Sequence, residues 1–177
     1  MLLSVGLRAS VHVVVAESDT AVALGSGDVP VLGTPRLLAL AEAAAVAAVA
    51  PQLARGETTV GTSVTMEHRR ASPVGSSLVI EAELTEVDGQ RLVFSFIARE
   101  EHSRAQAPGA RPPGADASRT QAPAAAPLED EAPWAQAPEA GALGGDERVV
   151  GAGTLERVVV SRERFLARAA AHHPGPQ

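Results

Sequence analysis

"TPRLLALAEAAAVAAVAPQL", residues 34–53, is the longest run of small apolar residues in the chain, and the fold turns on it. Thr34-Pro35 opens it as an N-cap and N1 pair, because a hydroxyl can accept an orphan N–H while proline has none to lose. The helix is expected to reach about Ala50 and stop at Pro51. After Arg36 its lone charge is Glu42, flanked by Ala41 and Ala43. Small side chains let such a helix lie close against a sheet. A carboxylate covered by that sheet must be paired or neutralised.

Strands surround this helix in the sequence. Val11, Val13 and Val15 alternate over 9–16, with His12 on the opposite face. Over 58–69, Thr58, Val60, Thr62, Val64 and Met66 share one face, and His68 is next on it. Residues 76–87 place Leu78, Ile80, Ala82 and Leu84 inward, and 91–100 do the same with Leu92, Phe94, Phe96 and Ala98. Asp88-Gly89 between them is a hairpin signal. Residues 17–33 read as a loop punctuated by Gly25, Gly27, Pro30 and Gly33. Residues 102–145 carry proline every few positions, with Trp134 among them, and read as a disordered Pro/Ala/Gly-rich insert. Strand periodicity returns in "RVVGAGTLERVVVS", 148–161, and "RERFLARAAA", 162–171, closes with a short helix or a strand extension. The expectation is an α+β fold over 1–177: one domain, interrupted by the insert, in which a curved antiparallel sheet wraps a single helix.

Composition narrows the chemistry. The chain has no Cys and no Tyr, and all 15 of its basic residues are Arg, so a Lys Schiff base, a Cys nucleophile and a phenolic acid are excluded. Of the 5 histidines, His102, His172 and His173 fall in Pro- or Gly-rich stretches, which leaves His12 and His68 for acid–base work near neutral pH. The residues call for neither a metal nor a cofactor. A net charge of −6 with no basic cluster longer than Arg69-Arg70 argues against nucleic acid. The start "MLLSVGLRAS" lacks a basic n-region, and no 18 apolar residues run together, so a cytoplasmic protein without a membrane partner is expected.

With these residues in hand, the chain resembles the fluoroacetyl-CoA thioesterase-like family of the hot-dog fold. Thr34 and Glu42 stand where that family places a catalytic Thr and Glu, and His68 stands where it places the catalytic His. Gly61 matches a glycine at the family's acyl-binding end. Gly153, Thr154, Glu156 and Arg157 resemble its closing G-T-x-E-R segment. Residues 17–33 contain no aromatic, whereas the family's founding enzyme covers its pocket there with Phe. The resemblance implies a hydrolase that cleaves a small acyl thioester, carried by CoA or by an acyl carrier protein, with Thr34, Glu42 and His68 as the catalytic set. Gly33, Gly61 and Arg69 are the substrate-contact candidates. Arg69, Arg70, Arg99 and Arg157 could meet the phosphates of CoA, although a solvated strand face suits each of them better. The alternative is a non-catalytic hot-dog module that binds an acyl thioester or a small hydrophobic ligand.

One geometric difficulty accompanies this reading. On a regular helix, the 8 positions between Thr34 and Glu42 amount to about 12 Å of rise and roughly 80° of rotation. Either the first turn is irregular, or a homodimer, alone or as a dimer of dimers, assembles the site from two subunits. The second is the way hot-dog thioesterases usually build theirs.

Overall fold

The computed structural model describes residues 3–101 and 148–171. The stretch 102–145 read as an insert lies outside the described residues, as do Trp134, His102, His172 and His173. Among the described residues, five strands form one antiparallel sheet: β1 (Arg8–Val14), β2 (Glu57–His68), β3 (Ser77–Asp88), β4 (Arg91–Glu100) and β5 (Val149–Ser161). Their spatial order is β1-β3-β4-β5-β2. The helices are α1 (Ala21–Leu24), α2 (Thr34–Val49) and α3 (Arg162–Ala171). This is the expected architecture of one long helix on one sheet, and it resolves the ambiguity at 162–171 in favour of a helix.

The helix α2 buries Leu37, Leu40, Ala41, Ala44, Ala45, Ala48 and Val49, chiefly against β1 and β3. By length and composition alone Thr34–Gln52 could cross a membrane, but in this fold its apolar side serves as the core. Opposite it lie Leu78, Ile80, Ala82 and Leu84 of β3 and Leu92, Phe94, Phe96 and Ala98 of β4, all buried as their alternation predicts. The start of α2 differs from the expectation. Gly33 is the N-cap, its carbonyl accepting from Arg36 and Leu37, so Thr34 is already helical and its hydroxyl makes no cap bond. The loop read at 17–33 also contains structure, namely a 3₁₀ turn at Glu17–Asp19 followed by α1, where the Thr20 hydroxyl accepts from Ala23 N at 3.2 Å.

The hairpin between β3 and β4 forms as expected, with a small shift. Asp88 pairs with Arg91, so Gly89 and Gln90 are the two loop residues, and only Gly89 has a positive φ, +58°, the pattern of a type II′ turn.

The largest departure is in β2. Its pairing with β5 runs Gly61↔Arg157 and then Ser63↔Glu156, so Thr62 is an extra residue in a β-bulge. Directly paired residues share a face, and the buried members of β5 around the bulge are Leu155, Arg157 and Val159. Their partners on the helix side are therefore Val64, Gly61 and Thr59. The expected face of Thr58, Val60, Thr62, Val64, Met66 and His68 is thus half right. Before the bulge the helix side carries Thr59 and Gly61; after it come Val64, Met66 and His68.

Phe94→Ala, which removes the largest fully buried side chain, is expected to cost about 3–5 kcal/mol. Deleting Thr62 should cost far less, because every other β2–β5 pair can persist in a straightened strand. Chemical denaturation of the two variants checks this ordering.

Candidate active site

Two clusters lie along α2. At its start, Thr34 Oγ1 is 3.0 Å from His68 Nδ1. The strand brings the imidazole there because the bulge sets the end of β2 on the helix side. The hydroxyl is exposed and the ring is half-buried, with Nε2 enclosed and lacking a hydrogen-bond partner among the described residues. Desolvation pushes the imidazole below its ordinary value of 6.5, an effect that the Arg70 backbone partly offsets. A neutral ring at neutral pH follows, available as a base.

The second cluster is centred on Glu42, two turns further on. Its Oε1 accepts a 2.7 Å hydrogen bond from Arg157 Nη1. The Arg157 guanidinium is itself fixed, with Nε donating to Thr59 Oγ1 at 3.0 Å and Nη2 donating to the Thr59 carbonyl at 3.0 Å. Directly opposite Arg157 on β2 is Gly61, where an added Cβ would lie 2.5 Å from Glu42 Oε1. A side chain at this position would push the carboxylate from where it stands. The Arg157 side chain is 7% exposed and that of Glu42 is 41%. Glu42 is thus paired, as its setting requires, but it is not enclosed among alanines.

Of the remaining candidates, Gly33 is buried and holds the loop to α2, donating its N–H to the Asp19 carbonyl at 2.9 Å. Asp19 Oδ1 also lies 2.7 Å from Arg36 Nε, which clamps the loop against the first turn. Arg69 is exposed and bound to Glu67, with Nε to Oε2 at 2.8 Å, and it joins neither cluster. His12 lies on the outer face, 3.1 Å from Glu101 Oε1, as a strand residue unconnected to the site.

Because α2 is regular from Thr34 to Val49, the irregular first turn is not available to bring Thr34 and Glu42 together. The structure places Thr34 with His68 and Glu42 with Gly61, Thr59 and Arg157. Sequence reasoning missed Thr59 and took Arg157 for a solvated strand residue. The signal was present in "TLERVVV": Leu155, Arg157 and Val159 share one face at period two, so the arginine sits in an apolar row. Its neighbour Glu156 faces the other way, where Arg91 binds both of its oxygens and holds the carboxyl below its usual range.

The family model of the fluoroacetyl-CoA-specific thioesterase matches residues 15–106, over half of the chain, including both α2 and β2. The chain belongs to that family. The curated fluoroacetyl-CoA thioesterase of Streptantibioticus cattleyicolor is 37% identical over 70 residues, which is 40% of this chain and 50% of that protein. The chain thus spans about half the length of the curated relative it matches. Among solved structures, the fluoroacetyl-CoA-specific thioesterase superposes with a TM-score of 0.67 at 25% identity, covering 99% of this chain and 100% of that one. Other structures of that thioesterase hold acetyl-CoA, or fluoroacetate together with CoA. A hot-dog-like protein from Thermanaerovibrio acidaminovorans, 20% identical with a TM-score of 0.66 over 97% of this chain and 94% of its own, agrees in fold. The family's hot-dog fold is therefore the fold of this chain.

Two outcomes follow from the geometry. Glu42→Ala strands a buried guanidinium and is expected to cost about 1–3 kcal/mol. Gly61→Ala should also destabilise, but less so in a Glu42→Ala background, and a double-mutant cycle by denaturation measures that coupling. For His68, whose pKa is depressed in the folded state, stability is present above pH 6.5 and is lost as pH falls below it, because the unfolded chain then binds the proton more readily. His68→Gln should flatten that part of the pH–stability curve.

Proposed function

We propose that the protein hydrolyses a small acyl-CoA thioester to the free acid and CoA, with Thr34, Glu42 and His68 as catalytic residues. The observation that carries this reading is the 3.0 Å contact between Thr34 Oγ1 and a partly desolvated His68 at the N-terminus of α2. Glu42 attacks the thioester carbonyl itself, giving a mixed anhydride that water then hydrolyses, or it orients and activates the water that attacks directly; in either case His68 takes that water's proton. The developing oxyanion is stabilised at the helix start, where the Thr34 hydroxyl and the helix dipole favour negative charge. The C–S bond then breaks, and His68 returns a proton to the departing thiolate. Gly61 keeps the acyl end of the site open beside Glu42, and Gly33 holds the loop that shapes its entrance. Arg69, exposed next to His68, is in place to meet a CoA phosphate once it gives up Glu67. An acyl carrier protein could present the same thioester.

The working unit in this reading is a homodimer. Among the described residues β2 is a 12-residue edge strand with one side unpaired, the kind of edge that proteins cover. Val64, on its helix-facing side, is 45% exposed in the single chain. With the two clusters about 12 Å apart along one helix, a second subunit lets Glu42 of one chain work with Thr34 and His68 of the other. The dimer acts in the cytoplasm, apart from membranes and nucleic acid.

A panel of short acyl-CoAs, followed by thiol release, tests the reaction. His68→Ala is expected to lower hydrolysis by roughly 10²–10⁴ while leaving the protein folded. Mixing Glu42→Gln subunits with His68→Ala subunits should restore hydrolysis if the site is shared, and restore none if each chain holds a complete site. A folded parent that binds acyl-CoA and releases no thiol would make the protein a binding module.

A further inference from the structure

We propose that Arg157 is a positioning residue for Glu42, locked by Thr59, and that it holds one carboxylate oxygen so that the other is the one that reacts. The inference rests on the hydrolase reading and adds to it the means by which a half-exposed glutamate on a helix is kept in one place.

A glutamate that projects from a helix with much of its surface in water is free to rotate, and a nucleophile or base that wanders loses orientation. Here two restraints act on the same atom. Arg157 Nη1 donates to Oε1 at 2.7 Å, and the Gly61 backbone lies so close beneath Oε1 that a methyl group would not fit. The guanidinium has no freedom of its own to pass on, since Nε and Nη2 are both bound to Thr59 at 3.0 Å and the residue is buried. Arg157 and Gly61 are direct partners across β2 and β5, so the restraint is built into the register of the sheet. Oε1 is thereby committed, which leaves Oε2 as the oxygen that can face a carbonyl carbon or a water. A planar fork suits this task and a lysine does not, because an ammonium cannot bind Thr59 in two directions and Glu42 in a third with the same rigidity.

Arg157→Lys keeps the charge and loses the fork; Thr59→Val keeps Arg157 and removes the hydroxyl anchor of its Nε. Both are measured for kcat and KM on the best acyl-CoA of the panel, alongside thermal melts. The expected result is a loss in kcat of about 10²-fold for Arg157→Lys and a smaller loss for Thr59→Val, with KM unchanged and cooperative melts retained. In the Glu42→Gln background, whose residual hydrolysis runs without the carboxylate, Arg157→Lys should cause no further loss. A rise in KM at constant kcat would mean that Arg157 touches the substrate itself and would overturn the proposal. So would additive losses in the double variant, or the loss of cooperative melting in both single variants. Absence of hydrolysis by the parent would overturn the hydrolase reading, and this inference with it.

Discussion

Everything at the site depends on how a buried arginine is neutralised. Arg157 lies on the inner face of β5 between Leu155 and Val159, where a bare guanidinium would be too costly to keep. Thr59 supplies two acceptors from the neighbouring strand and Glu42 supplies the charge from the helix. The ion pair thus ties α2 to the β2–β5 edge of the sheet, against which it otherwise packs little. Without that tie α2 would be anchored mainly through β1 and β3. The same bond that compensates Arg157 also fixes the Glu42 carboxylate, so stability and orientation come from one contact.

The bulge at Thr62 is the second constraint. Gly61 and His68 are seven positions apart, and in an unbroken strand an odd separation sends two residues to opposite faces. One extra residue between them restores a common face, so that Gly61 can sit under Glu42 while His68 reaches Thr34. Bulges are common beside functional sites because they re-aim side chains in this way.

Period-two alternation made β1, β3 and β4 and their buried sides legible, since a strand with one face against a core has no other way to place Leu78, Ile80, Phe94 and Phe96. Proline and small residues marked α2 nearly to its last turn. The nearness of Thr34 and His68 was legible only through family resemblance, because no local pattern says that a Thr at a helix start will face an imidazole 34 residues away. Three features escaped. The bulge breaks the very periodicity used to find β2, and nothing in "GTS" announces it. The helix cap moved to Gly33 because the Asp19 carbonyl and the first-turn amides fix its backbone from both sides, a tertiary effect that releases the Thr34 hydroxyl. Arg157 was mistaken for a surface residue because its neutralising partner comes from a different element, 115 positions away.

The location of the site follows from the relative widths of a helix and a sheet. Five strands spaced about 4.8 Å apart span about 19 Å, and a helix faced with alanines is only about 10 Å across. One such helix cannot cover the whole inner face. α2 lies chiefly over β1 and β3, and the β2–β5 side carries Val64, which is exposed, and Gly61 beneath Glu42. The helix edge that borders that side carries Thr34 and Glu42, which reach His68 and Arg157. Polar residues are tolerable on an inner face where the core ends or where, like Arg157, they are paired. The small-residue composition that first singled out residues 34–53 therefore has two consequences at once: it lets α2 sit close to the sheet, and it keeps α2 too narrow to seal it.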